Sequence, residues 1–383
     1  VGRFGKLLKN YLRAGDTLLL LLCLAASVYG MVLLYSATRS YGTERYMLVQ
    51  GLALFLGLIL YVLFSLIDID VIADRWVLLI GFNLLLLVAL RLWGAEGDTG
   101  NRSWLRFGFV GIQPSELMKI TFTLLLAGQM NRLRETRRGI SGVFSVLEMT
   151  LHLGLMFGLI VAVSADLGSA LVFLVIFAAM CFAGGVNLLW FLAAIGLCAA
   201  VAPLLWKNFL SDYQRNRILA PYFPERVDPD GLGVTWQARQ SKMALASGGF
   251  TGQGFLRGTR AQGDMLPFKH TDFIFSVAGE ELGLIGCAAI IALLTVIILR
   301  VLLVGMRSGS YRDMLLCAGF AGLLTFQTFE NIGMCAGVTP VIGITLPFFS
   351  YGGSSLVTCF AAMGIVSGIR LRQKGREESQ RLG

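Results

Sequence analysis

Long apolar runs recur along this chain at the length of a bilayer crossing, and no other feature constrains its fold as strongly. A helix needs about 20 predominantly apolar residues to span roughly 30 Å of hydrocarbon. Such runs lie at residues 17–37, 47–67, 76–93, 114–130, 143–163, 169–185, 187–206, 275–303, 313–336 and 354–370. The sixth and seventh divide at the turn signal Gly184-Gly185-Val186-Asn187. The run from Thr17 is too long for a signal-peptide core and reads as a retained first helix. The expectation is an all-α polytopic membrane protein of about ten transmembrane helices, one integral-membrane domain over residues 1–383. A soluble fold is excluded, because 56% of the residues are hydrophobic and only 14% charged, too few to cover the apolar surface.

The net charge of +9 forms no single patch, so a nucleic-acid partner is not expected. The basic residues instead report orientation. One set of short loops and ends carries Arg3, Lys6, Lys9, Arg13, Arg75, Arg132, Arg134, Arg137, Arg138, Arg300, Arg307, Arg312 and the tail Arg370, Arg372, Lys374, Arg376 and Arg381. The opposite short loops hold only a few, such as Arg39, Arg45, Arg102 and Arg106. Both termini are therefore expected to be cytoplasmic. Residues 207–272 then form one large extracytoplasmic loop between helices seven and eight, with an amphipathic piece near 236–245 and a Gly-rich stretch at 247–254. The tryptophan and tyrosines of that loop favour the membrane interface. No internal repeat supports an inverted-repeat transporter. The seven cysteines are widely spaced within or beside apolar segments, without CxxC, and read as small buried hydrophobes.

Ionisable groups at membrane depth cost about 2.5–3.5 kcal/mol each, so those present mark structure or function. Glu116 and Lys119, three residues apart, share a helix face and can neutralise each other. They form either a structural ion pair or a site in which Lys119 meets an anionic substrate. Asp166, near the outer end of the fifth helix, is a capping residue or a functional one. Asp272 lies where the long loop re-enters the membrane; there it either starts a helix, with Thr271 as cap, or does chemistry. Glu280 and Glu281 are adjacent and are expected to point in different directions. His152 reads as a packed, hydrogen-bonded histidine, and two histidines without a cysteine cluster do not make a zinc site. The Gly-rich stretches 247–254 and 350–355 suit turns as well as phosphate binding. These residues by themselves leave two classes open, an enzyme acting on a lipid substrate and a transporter of an anionic solute.

The order and wording of four segments resemble the SEDS family (shape, elongation, division and sporulation), the RodA/FtsW-type proteins. Asn101-Arg102-Ser103-Trp104-Leu105 with Gln113-Pro114-Ser115-Glu116-Leu117-Met118-Lys119 is similar to the family's approach to its fourth helix. Trp236-Gln237, Gln240-Ser241 and Ser247-Gly248-Gly249 resemble the middle of its large loop. Leu266-Pro267-Phe268-Lys269-His270-Thr271-Asp272-Phe273, running on to Glu280-Glu281-Leu282-Gly283, resembles its most telling motif. Asn331-Ile332-Gly333-Met334, Pro340 and the run from Leu346 to Leu356 resemble its C-terminal signature. Two departures stand out: Phe268 replaces the family's usual glutamate, and Ser164-Ala165 its Gln-Pro before Asp166.

The resemblance implies a peptidoglycan glycosyltransferase of the bacterial cytoplasmic (inner) membrane that polymerises lipid II at the outer face. It implies Asp272 as the base for the acceptor hydroxyl. Lys119, Arg102 and Arg239 are candidates for the anionic part of the substrate, with a divalent cation (Mg or Mn) as a conceivable helper. Asp166 would position Lys119 or help hold that cation, and Glu116 would belong to the same substrate site. It also implies a class B penicillin-binding protein, a transpeptidase, as partner. The rival readings are a lipid II flippase on the same fold and a scaffold without activity.

Overall fold

Each expected span is a long helix in a computed structural model, which describes residues 15–95, 101–108, 110–136, 139–208 and 210–382. Numbered in chain order, these helices are α1 (Thr17–Thr38), α2 (Arg45–Leu66), α3 (Trp76–Trp93), α4 (Pro114–Arg134) and α5 (Val143–Ser164), then α6 (Leu167–Ala183), α7 (Leu188–Asn208), α8 (Ile274–Met306), α9 (Tyr311–Ala336) and α10 (Gly353–Leu382). Of the residues read for orientation, Arg3, Lys6, Lys9, Arg13, Arg137 and Arg138 lie outside the described residues.

Among the described residues, seven helices are long and apolar enough to cross a membrane by length and composition, namely α1, α2, α3, α5, α7, α8 and α10. Composition thus accounts for seven of the ten expected spans. Of the remaining three, α6 has 17 residues. The other two are diluted by polar side chains: Glu116 and Lys119 in α4, and Gln327, Glu330 and Asn331 in α9. All five of those side chains are buried. The polar helices are therefore the inner ones, whereas α7 buries none of its side chains and turns apolar surface outward all round. In the interior α9 lies against α8, α6 and α4, and α10 runs along α2.

Between α3 and α4 the chain forms a small antiparallel sheet not foreseen from the sequence: β1 (Gly94–Ala95), β2 (Trp104–Phe107) and β3 (Val110–Ile112), in order β1-β2-β3. Leu105 pairs with both Gly94 and Ile112. The sheet brings Arg102 and Ser103 to the start of α4 and to the α5–α6 turn, where the Arg102 amide donates to the Ser164 carbonyl at 3.1 Å.

The segment between α7 and α8 is folded, with short helices at Asp212–Leu219, Pro224–Val227, Trp236–Gly248 and Thr259–Gln262. The expected amphipathic piece is the third of these. It docks into the bundle: Ser241 is buried, shares a 2.6 Å hydrogen bond with Ser276 of α8 and donates to the Cys335 carbonyl of α9 at 2.7 Å. Tyr213 and Tyr222 of the same segment are exposed, as interfacial aromatics are.

Inside α8 the helix breaks at Gly283 (φ 67°, ψ −162°). The Gly-rich stretch repairs the break. Leu284 and Ile285 amides donate to the Gly249 and Phe250 carbonyls (2.9 and 3.2 Å), and the Gln253 and Gly254 amides donate to Glu280 and Glu281 carbonyls (2.9 and 3.0 Å). Backbone groups that a broken helix would orphan in the interior are thereby satisfied. The backbone of residues 249–254 is therefore engaged within the fold. A Cβ at position 283 would meet the Gly252 amide and the Phe250 carbonyl, in a backbone conformation L-residues avoid. Gly283→Ala is expected to destabilise the protein by about 1–3 kcal/mol or more, read as a lower thermal midpoint in detergent; an unchanged midpoint would contradict this account of the break.

Candidate active site

Asp272 sits in the turn that leads into α8, half-buried. It does not cap the helix. The residue at the helix start is Phe273, with no side-chain capping bond, and Thr271 instead donates to the Phe268 carbonyl at 3.3 Å. The backbone of Asp272 is fixed from behind, where its carbonyl accepts from Asn331 Nδ2 at 2.8 Å and from Cys335 Sγ at 3.6 Å. Asn331 also donates to the Ile344 carbonyl at 2.8 Å. This one buried amide ties the Asp272 turn to the chain between α9 and α10, whose Gly343 faces the Asp272 carboxylate. Burial pushes the Asp272 carboxyl up to about 6, against the opposing pull of the Arg217 guanidinium and of the neighbouring Thr271 side chain. The carboxylate is therefore a much better proton acceptor than an ordinary aspartate.

The turn is braced on both sides. Tyr351 donates its amide to the His270 carbonyl at 2.8 Å, and Ser350 Oγ donates to the Thr271 carbonyl at 2.6 Å. His270 packs in an aromatic cluster with Tyr46 (4.9 Å between ring centroids), Tyr41 (5.5 Å) and Tyr351 (5.7 Å). Burial, with the charge of Lys269 beside it, lowers the imidazole to about 4, so it is neutral at physiological pH. Lys269, which sequence reading passed over, is 1% exposed and fully engaged by Ser40 (2.7 Å), Asp264 (2.6 Å) and the Ala261 carbonyl (2.5 Å). Phe268, at the position of the family's glutamate, adopts a positive φ of 47° and is 40% exposed.

Asp166 realises the capping alternative. Its Oδ1 accepts the Ser169 amide at 2.9 Å at the start of α6, and its Oδ2 accepts Ser169 Oγ (2.7 Å), Ser103 Oγ and Gln113 Nε2 (both 3.3 Å). The preceding Ala165 ends α5 in the left-handed region (φ 53°). Lys119 is not held by Asp166; its ammonium donates to Glu116 Oε1 at 2.6 Å, with both side chains buried. The expected ion pair is present, one face of α4 supplying both partners. Gly168 lies against the Ile342 carbonyl and Ile344, so the residue 341–346 stretch separates the Asp166 cluster from Asp272.

Arg239 belongs elsewhere. It lines a pocket open to solvent, together with Arg217, Lys242, Thr235, Thr339 and Val341. Arg217 is the guanidinium whose charge reaches Asp272. Neither Arg217 nor Lys242 carries a motif that sequence reading singled out; only their convergence in space marks them.

Glu280 and Glu281 correct the expectation that they diverge. Both are completely buried and both reach the same loop. Glu280 accepts the amides of Arg260 (2.9 Å) and Ala261 (2.8 Å). Glu281 accepts those of Leu256 (3.1 Å) and Gly258 (3.4 Å), along with Ser36 Oγ (2.6 Å) and Gln262 Nε2 (2.9 Å). The backbone wraps around the α8 break, so residues adjacent in sequence find donors in one segment. His152 is packed as expected, 2.8 Å from Gln129 Oε1 and against Phe122. Among the described residues, no group of three or more His, Cys, Asp or Glu gathers as metal ligands do.

Comparisons with known proteins agree over nearly the whole chain. The profile of the FtsW/RodA/SpoVE family, described as cell cycle proteins, matches residues 16–375. The peptidoglycan glycosyltransferase MrdB of Escherichia coli K12 is 35% identical over 366 residues, 94% of each chain. A probable peptidoglycan glycosyltransferase FtsW of Geobacter metallireducens is 34% identical over 368 residues, covering 94% of this chain and 96% of that one. Among solved structures, a chain from a peptidoglycan synthase complex that coordinates polymerization and crosslinking superposes with a TM-score of 0.79 at 32% identity, over 94% of this chain and 98% of that one. The rod shape determining protein RodA of Thermus thermophilus superposes with a TM-score of 0.68 at 29% identity, over 93% and 96%.

Proposed function

The chain belongs to the FtsW/RodA/SpoVE family of cell cycle proteins, and on that footing we propose that it is a multi-pass membrane peptidoglycan glycosyltransferase that polymerises lipid II. The relatives that carry this activity in their names cover it almost end to end. The single observation that carries the reading into this chain is Asp272, a carboxylate on a firmly held turn, raised to about 6 beside a cationic pocket.

The reaction joins the C4 hydroxyl of an acceptor GlcNAc to the anomeric carbon of a MurNAc borne on undecaprenyl pyrophosphate. The O4–C1 bond forms as the bond from C1 to the phosphate oxygen breaks, with inversion to a β-1,4 linkage. The hydroxyl proton passes to the Asp272 carboxylate, and the electron pair of the broken bond leaves with the diphosphate. The firmly held backbone around Asp272 keeps that carboxylate in place for attack. Asp166, with Ser103 and Ser169, and the Glu116–Lys119 pair shape the polar interior behind it.

A lipid II flippase on the same fold uses the buried charges but gives Asp272 no task. The two readings separate in detergent micelles, where no membrane divides two sides. The purified chain given lipid II should yield glycan polymers; its failure to do so, with native fold retained, would sink the enzyme reading.

The active site faces outward in this account: both termini are cytoplasmic and residues 207–272 lie outside the cytoplasmic membrane. With Glu225→Cys in the exposed Pro224–Val227 helix, a membrane-impermeant thiol reagent should label intact spheroplasts. Labelling only after lysis would overturn the orientation. The likeness to a chain of a peptidoglycan synthase complex supports a class B penicillin-binding protein as the partner that cross-links the emerging glycan.

A further inference from the structure

We propose that the pocket of Arg217, Arg239 and Lys242 is a diphosphate site and that it takes the leaving group of the reaction; of the expected candidates Lys119, Arg102 and Arg239, Arg239 alone lines it. The inference rests on the glycosyltransferase reading for the identity of its ligand, and on the pocket itself for the class of that ligand.

Three cationic side chains converge on one small cavity, and among the described residues none of them makes a side-chain ion pair or hydrogen bond. Arg239 and Lys242 are exposed and Arg217 is half-buried, so their converging charge is open to an anion entering between them. Among the described residues no nearby acid forms an ion pair with it. The Asp228 carboxylate is occupied by Thr235 (amide 3.0 Å, hydroxyl 2.6 Å) and the Gly233 amide (2.9 Å). Glu330 lies behind Thr339, buried, with Oε1 unpartnered among the described residues. Asp272 is the third, reached by the charge of Arg217 but not hydrogen-bonded to it.

Two of the cations pass close over backbone that has no side chain. The guanidinium of Arg239 lies directly over Gly231, and the aliphatic stem of Lys242 crosses Gly337. Both glycines have positive φ (65° and 64°), and a Cβ at either would occupy the position of the cationic side chain. Lys119, by contrast, is already neutralised by Glu116 at 2.6 Å and offers little net charge to an anion.

The placement also suits inversion. Thr339 and Val341 form one wall of the pocket, and Gly343 on the same stretch faces the Asp272 carboxylate. Base and diphosphate site are therefore adjacent without coinciding, as attack and departure on opposite faces of one carbon require.

Inorganic pyrophosphate is the probe, added to the full-length protein in detergent. It should raise the thermal midpoint and inhibit lipid II polymerisation competitively, far more strongly than sulfate at equal ionic strength. Arg239→Gln/Lys242→Gln should weaken pyrophosphate binding and raise KM for lipid II, each by roughly 10- to 100-fold, the loss of charge-assisted hydrogen bonds. Gly231→Ala should imitate the loss of Arg239, and Lys207→Gln, outside the pocket, should change neither value. Polymerisation by the wild type with an unaltered KM and pyrophosphate response in Arg239→Gln/Lys242→Gln would overturn the proposal while leaving the enzyme reading intact. An equal response to sulfate, or one abolished only by Lys119→Met, would overturn it as well. Absence of polymerisation by the wild type would strike the enzyme reading, and the thermal response to pyrophosphate would still decide the pocket.

Discussion

Asp272→Asn is expected to reduce polymerisation of lipid II by about 10²–10⁴-fold, the usual contribution of a general base, with substrate binding retained. Asparagine preserves size and hydrogen bonding but cannot accept the proton. The backbone bonds from Asn331 and Cys335 go to the Asp272 carbonyl, so they survive the substitution. The effect on stability should run opposite to the effect on activity. Folding raises this carboxyl to about 6 because the charged form is poorly solvated. A group raised in the folded state contributes its stability fully below its unfolded value, and that contribution is lost as pH rises through 6. At pH 7.5 the wild type thus carries a penalty that asparagine lacks, and Asp272→Asn should melt no lower than wild type, and slightly higher. A well-folded variant with near-wild-type polymerisation would remove Asp272 from the chemistry.

Lys119→Met should be among the most destabilising substitutions, at about 3–5 kcal/mol, because it strands the Glu116 carboxylate in the interior. Glu116→Gln strands the ammonium and should cost a similar amount. The double variant removes both charges and should recover most of the loss, since a buried ion pair replaced as a unit is often close to neutral. The thermal midpoints of the two single variants and the double variant close the cycle. Additivity to within about 0.5 kcal/mol would show that the two residues do not act as a pair.

What the sequence disclosed and what it concealed follow from physical range. Helix positions were legible because twenty consecutive apolar residues are a local signal, and all ten segments are helical. The Glu116–Lys119 pair was legible because a helix fixes where residues three apart meet. The role of the Gly-rich stretch 247–254 was not, since it depends on a break about thirty residues later, at Gly283, whose flanking carbonyls and amides find their partners in the loop. Glu280 and Glu281 misled for the same reason: helix geometry sends neighbours apart, but the wrapped backbone meets both. Asp272 could be named from motif resemblance, yet its freedom from capping duty is a matter of one turn's geometry. Arg217 and Lys242 lie 25 residues apart on different short helices and sit in one pocket only because the segment between α7 and α8 folds back on itself.

The most direct test of the account is the pH dependence of kcat/KM for lipid II polymerisation by the purified wild-type chain. If the Asp272 carboxylate takes the acceptor proton, the rate should be level above pH 7 and fall as pH drops through about 6, approaching a tenfold loss per unit below it. The residual activity of Asp272→Asn should lack this acid limb. A wild-type profile that stays flat from pH 7.5 down to 5, or an acid limb that persists unchanged in Asp272→Asn, would contradict the assignment of Asp272 as the base of the transfer.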